Sequence, residues 1–159
     1  MKRILIGPAG WHYPDWKGVV YPARTAAGFS ELAFLAEYFS AVEINTSFYR
    51  IPSLAAVENW LAQVRKHPTF QFAIKLWQGF THEERKDLAA EVTAFSVLLN
   101  ALAAGDRLGA LLVQFPWRFK YTAGNLDCVE RLHEWFSAFP VSVEFRHSSW
   151  ADEGVYEKF

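Results

Sequence analysis

Short apolar runs alternate with longer stretches of helical period along this chain. Runs over 3–7, 42–48, 70–76, 109–115 and 141–147 predict five strands. Ser30 is an N-cap candidate before Leu32, Leu35, Ala36 and Phe39, which recur at helical spacing and predict a helix over 30–39. Ser53 opens a second helix, whose stripe is Leu54, Val57, Trp60, Leu61 and Val64, with Pro68 past its end. A third spans roughly 88–103 and stops near Gly105; a fourth covers about 126–136. Residues 148–159 begin a further loop or helix. No hairpin signal separates the strands. Strictly alternating β and α elements imply a parallel sheet with right-handed crossovers. No linker, low-complexity tract or repeat breaks the chain, so residues 1–159 read as a single domain.

Two architectures fit that order. A doubly wound sheet is complete with five strands, whereas a (β/α)8 barrel needs eight strands and about 250 residues. Strand parity separates them, because successive residues face opposite sides. Val42, Ile44, Thr46 and Phe48 oppose Glu43, Asn45 and Ser47; Phe72, Ile74 and Leu76 oppose Gln71, Ala73 and Lys75. Leu111, Val113 and Phe115 oppose Ala110, Leu112 and Gln114; Val141, Val143 and Phe145 oppose Ser142, Glu144 and Arg146. One face is apolar and the other turns polar toward the strand ends. Helices on both faces of an open sheet demand apolar side chains on both. The asymmetry therefore favours an incomplete TIM-barrel type, with about five parallel strands and four helices. Its polar mouth gathers Glu43, Asn45, Lys75, Gln114, Glu144 and Arg146 at one level.

Composition narrows the function classes. The 159 residues carry 16 Lys and Arg against 17 Asp and Glu, so no basic excess announces a nucleic-acid backbone. Hydrophobic residues make up 52%, which excludes disorder. The single cysteine, Cys128, rules out an intrachain disulfide and fits a reducing, cytoplasmic setting. No apolar run nears the roughly 20 residues of a membrane span. Aromatic residues reach 17%; they fill cores, and Trp and Tyr also line pockets.

Several strings resemble the DUF72 family, the YecE-like proteins. They are Gly10-Trp11-His12-Tyr13 with Trp16 and Tyr21-Pro22, the run from Val42 to Arg50, and Phe72 to Lys75. The Thr81-His82 pair, Gln114 to Pro116, and Val143 to Trp150 complete the set. The resemblance spans nearly the whole chain and implies a TIM barrel. It also implies truncation at the C-terminus, since an Asp-bearing strand and an Arg-x-His-Gly strand of the family have no counterpart. It implies no established reaction.

Paired carboxylates suit acid/base chemistry when one is protonated and the other ionised. The catalytic candidates are Glu43 and Glu144, with Lys75, Arg146 and His147 orienting or balancing charge. Lys75 and Arg146 are expected to hold both carboxylates ionised, which argues against either as the acid. Lys75 as a Schiff-base amine needs a lowered pKa that an adjacent anion opposes. Lys75, Arg146 and Arg50 also suit an anionic ligand. Trp11, Tyr13, Trp16, Tyr49, Trp77 and Trp150 follow strand ends, where they pack loops or stack on a sugar ring or base. Trp11, Tyr13, Trp16, Asn45, Tyr49, Gln114 and Trp150 are the substrate-binding candidates. His12, His82 and His147 are scattered without a metal-binding spacing, so no metal is assigned, and no cofactor is named. The expected function is a hydrolase or lyase on a polar small molecule or sugar. The alternatives are a non-catalytic binding module for an anionic or sugar-like ligand, and an inactive truncated barrel. A homo-oligomer covering exposed sheet edges is the expected assembly.

Overall fold

Four parallel strands lie side by side in chain order: β1 (Ala41–Ile44), β2 (Gln71–Lys75), β3 (Leu108–Gln114) and β4 (Val141–Glu144). The computed structural model describes residues 4–83, 87–151 and 154. Four helices alternate with the strands: α1 (Glu31–Leu35), α2 (Leu54–Gln63), α3 (Ala89–Ala104) and α4 (Ala123–Phe136). Ser30, Ser53 and Thr122 each accept a backbone N–H three residues on, which fixes the starts of α1, α2 and α4. Thr122 places the start of α4 three residues ahead of the predicted 126. Beyond Leu35 the chain tightens into three-residue hydrogen bonds at Glu37 and Tyr38, so α1 stops short of Phe39.

The period-two pattern places the core. Val42, Ile44, Phe72, Ile74, Leu111 and Val113 are buried and pack with Leu32, Val57, Phe95, Leu99, Leu102 and Phe136 of the helices. Their neighbours Glu43, Ala73, Lys75, Ala110, Leu112 and Glu144 are only partly buried, and Ser142 is exposed. Among the described residues the helices thus cover one face, and the other is open. A shallow cleft of about 370 Å³ on that face is lined by Gly7, Glu43, Ala73, Gly109 and Ala110.

The predicted first strand does not form. Arg3 lies outside the described residues, and the segment after it runs beside β1 with a single bridge, Ala9 to Glu43. Ser40 and Ala41 donate to the Ile6 carbonyl, Glu43 donates to that of Pro8, and Gly10 donates to that of Glu43. The next bridge in this parallel register needs an N–H at residue 8, and proline has none. Gly7 is part of the same constraint. A side chain there meets the Ala41 carbonyl, so only glycine admits the approach.

Two other runs end early. β1 stops at Ile44 and passes into a 3₁₀ turn, Thr46–Phe48; β4 stops at Glu144, ahead of a 3₁₀ turn at Ser148–Trp150. Beyond Ala151 only residue 154 is described, so the last predicted segment lies largely outside the described residues. The strand ends are staggered rather than level. Ile44, Ile74, Leu111 and Val141 share one rung; β2 runs one residue past it and β3 and β4 run three.

Gly7→Ala is expected to destabilise the protein by about 1–3 kcal/mol through overpacking against β1. Gly124→Ala, in the first turn of α4 with open space around it, should stabilise by up to about 1 kcal/mol. Urea unfolding of both variants checks the opposite signs.

Candidate functional site

The carboxyl ends of the strands carry the polar side chains, and local hydrogen bonds hold them there. Ser47 is fully buried, and its hydroxyl lies 2.6 Å from the Ile44 carbonyl and 2.5 Å from that of Lys75. It thereby ties the end of β1 to the end of β2. The turn this allows brings Phe48 under the Lys75 ammonium, which sits 4.7 Å from the ring centroid. His82 packs edge-on against the same ring at 4.9 Å, and Thr81 Oγ1 lies 2.7 Å from its Nδ1.

Glu144 is held at both oxygens. Gln114 Nε2 donates to Oε2 at 2.6 Å, and Arg146 Nε donates to Oε1 at 2.9 Å. Burial opposes the Glu144 charge. The hydrogen bonds from Arg146 and Gln114, with the attraction of Arg146 and Lys75, more than offset it and hold the carboxyl below its ordinary range. Glu43 behaves oppositely. Burial pushes its carboxyl above the ordinary range, Lys75 pulls it back only in part, and the Glu144 charge adds to the rise. At Glu43 burial outweighs the pull of a cation that lies over Phe48. His82 is pushed down, first by burial and then by Arg118, Lys75 and Arg146.

The predicted aromatic residues divide. Trp11, Tyr13, Asn45 and Tyr49 line one cleft of about 370 Å³ with His12, Thr46 and Trp60. Trp11 meets Trp60 edge-on at 5.6 Å. The Tyr13 hydroxyl donates to the Ala9 carbonyl. Trp16 turns away, between Tyr13 and Tyr21, into the aromatic cluster that covers α1. Trp150 is only 2% exposed; it stacks on Phe145 at 4.0 Å and donates its indole N–H to Phe119. Its surroundings make it a core residue, not a ligand platform. His147 accepts the Ser149 N–H at Nδ1, which leaves the neutral ring's proton on Nε2, and the ring lies 5.2 Å from the exposed Trp117.

The family model described as "Protein of unknown function DUF72" matches residues 5–159. The chain belongs to the DUF72 family. It is 30% identical to UPF0759 protein YunF of Bacillus subtilis over 98% of its own length and 55% of that protein. It is 27% identical to UPF0759 protein YecE of Escherichia coli K12, again over 98% of this chain and 53% of the relative. A crystal structure of a DUF72 family protein from Thermotoga maritima superposes with a TM-score of 0.77 at 34% identity. That match covers 96% of this chain and 59% of the other. A DUF72 family protein from Enterococcus faecalis gives 0.71 at 26% identity, over 81% and 48%. The chain thus spans about half the length of the curated relatives it matches.

Three of the DUF72-like strings now have physical roles. Within the run from Val42 to Arg50, Ser47 locks the strand ends and Glu43 faces the open side. In the string from Val143 to Trp150, Glu144 and Arg146 form an ion pair while Trp150 anchors the turn beneath them. In the pair Thr81-His82, Thr81 lies against the His82 ring nitrogen. Sequence reasoning passed over Trp60, which closes the aromatic cleft from α2, and Arg118, which donates to the His82 carbonyl at 2.7 Å. Trp60 sits in a helical stripe and reads there as core. Arg118 sits in a loop with no periodicity to place it.

The two carboxylates predict opposite pH behaviour. Because the Glu144 pKa is depressed in the folded state, its contribution is present above the unfolded pKa and is lost as pH falls through the folded one. Arg146→Ala should raise the Glu144 pKa and lower stability near pH 7 by no more than about 1 kcal/mol, since both side chains are partly solvated. The Glu43 pKa is raised, so its ionisation works against folding as pH rises above the unfolded value. Glu43→Gln should leave the pH 7 unfolding midpoint level or higher, with no gain near pH 3. Carboxyl 13C titration with urea unfolding reads both.

Proposed function

We propose that this sheet is the first half of a (β/α)8 barrel and that its mouth carries a hydrolase or lyase site for a polar, sugar-like small molecule. The observation that carries the reading is the divergence of the two carboxylates: Glu43 is pushed up by burial, and Glu144 is held down by Arg146 and Gln114. Two carboxyl groups driven apart in this way supply an acid and a base at one pH. The stagger of the strand ends supports the barrel reading, because tilted, sheared strands bring successive rungs to one height. Full-length function belongs to the same proposal, since the chain matches about half of its relatives.

In this reading the protonated Glu43 donates its proton to the leaving oxygen. Ionised Glu144 takes a proton from the attacking water, whose oxygen forms the new bond to carbon as the old carbon–oxygen bond breaks. β1 and β4 are three strand spacings apart, about 14 Å along the sheet before its curvature is counted. An inverting hydrolysis needs its two carboxyl groups about 6.5–9.5 Å apart, so the reading requires the curvature of the sheet to bring Glu43 and Glu144 closer than that arc. Arg146 and Gln114 fix the Glu144 carboxylate, Lys75 tunes Glu43, and His147 Nε2–H offers a donor beside Trp117. Trp11, Tyr13, Asn45 and Tyr49 hold the ligand. Among the described residues the lining of their cleft contains no Lys, Arg, Asp or Glu, which suits a neutral ring stacked on aromatic faces with amide and hydroxyl partners.

A second reading rests on an observation of its own. Both oxygens of Glu144 are already hydrogen-bonded, as in a satisfied ion pair of a binding module. Turnover of a panel of aryl glycosides separates the two. The catalytic reading expects Glu43→Gln and Glu144→Gln each to lower kcat by about 10²–10⁴-fold while the fold is retained. Its kcat/KM profile should rise with pH below the ordinary carboxylate range and fall above it, and Glu43→Gln should abolish the upper limb. Unchanged turnover in both variants would overturn it, and saturable binding with no product would favour the module.

A further inference from the structure

A further cavity lies away from the aromatic cleft. It holds about 580 Å³ between the loop after β2, the loop after β3 and one flank of α4, within the range of small-molecule sites. Asn125, Cys128, Arg131, Leu132 and Trp135 line it, at spacings that put them on one side of the helix. Asp127, Glu130 and Glu134 of the same helix do not line it, so α4 turns its cation and not its carboxylates to the cavity. From the opposite wall comes Arg118. It donates one N–H to the His82 carbonyl, which fixes the guanidinium and leaves four of its five donors unspent among the described residues. The Arg131 guanidinium lies 5.9 Å from the Trp135 ring centroid. Phe80, Leu88, Phe119 and Leu132 make the remaining wall apolar.

We propose that this cleft binds an organic anion, its carboxylate or phosphate held by Arg118 and Arg131 and its planar or apolar body laid against Trp135 and Phe119. Glu83 also lines the cleft and has contacts of its own; the described lining carries two arginines against this one glutamate. A guanidinium pair gives bidentate geometry, and an indole beside one of them gives a planar body a stacking partner. The site differs from the aromatic cleft in residues and in charge, so it stands whether or not the mouth is catalytic.

Isothermal titration of the whole chain with phenyl phosphate and with inorganic phosphate tests it. Saturable binding of phenyl phosphate, at least tenfold tighter than inorganic phosphate, is the expected result. Arg118→Ala and Arg131→Ala should each weaken it tenfold or more, Arg131→Lys should weaken it less, and Arg146→Ala should leave it within twofold. Both arginines are exposed, and a retained thermal midpoint shows that the variants fold. Absence of saturable binding, equal affinity for the two probes, or affinity that survives both alanine variants would overturn the proposal. Loss in Arg146→Ala would also overturn it, because the anion would then sit at the mouth.

Discussion

Alternation along the strands is the constraint on which both the core and the site depend. Each apolar residue sent toward the helices sends its neighbour to the other face. Val42, Phe72, Ile74, Leu111 and Val113 fill the helix-covered side. Glu43, Lys75, Gln114 and Glu144 are thereby fixed on the open one. A slip of one residue would bury those four polar side chains and expose the core of β1 to β3 at once. The energy that specifies the core thus also specifies the polar face. Ser47 adds a local lock, because its buried hydroxyl bridges the carbonyl ends of β1 and β2.

Much of this was legible in the sequence, and the parts that were not have physical reasons. Parity alone located the packed and open faces, since a half-buried strand cannot hide its period. The caps at Ser30 and Ser53 marked helix starts because a hydroxyl before an apolar stripe has one favourable use there. The first strand failed on a detail of donors: Pro8 lacks the N–H that a second bridge to β1 needs. β1 was read too long because Thr46 and Phe48 keep the apolar alternation after the backbone has turned. Propensity cannot register that a buried serine hydroxyl has bridged the two strand ends.

The polar residues of the open face were legible as a list but not as an electrostatic arrangement. Placing Lys75 next to Glu43 on paper predicts an ion pair. In the structure Lys75 lies over the Phe48 ring and burial governs Glu43, while Glu144 takes the closer cation, Arg146. Which carboxylate meets which cation depends on loop conformations that no periodic pattern encodes. The same holds for the aromatics. Trp11 and Trp150 are both tryptophans beyond strand ends, yet one lines a cleft and the other sits inside a stack of four parallel rings.

The open face bears directly on how far the two carboxylates can diverge. Glu43 is half-buried, and no hydrogen bond or ion pair reaches its carboxyl among the described residues, so beyond the attraction of Lys75 its charge depends on solvent. Glu144 has protein donors on both oxygens and needs water less. Anything that covers this face, whether ligand or further polypeptide, removes solvent from both. It costs the Glu43 anion more, since lost water there has no replacement, and it strengthens the hydrogen bonds that hold the Glu144 charge. Covering this face without adding donors therefore widens the gap between the Glu43 and Glu144 carboxyls. The electrostatic asymmetry is already set by these four strands, and desolvation without new donors increases it.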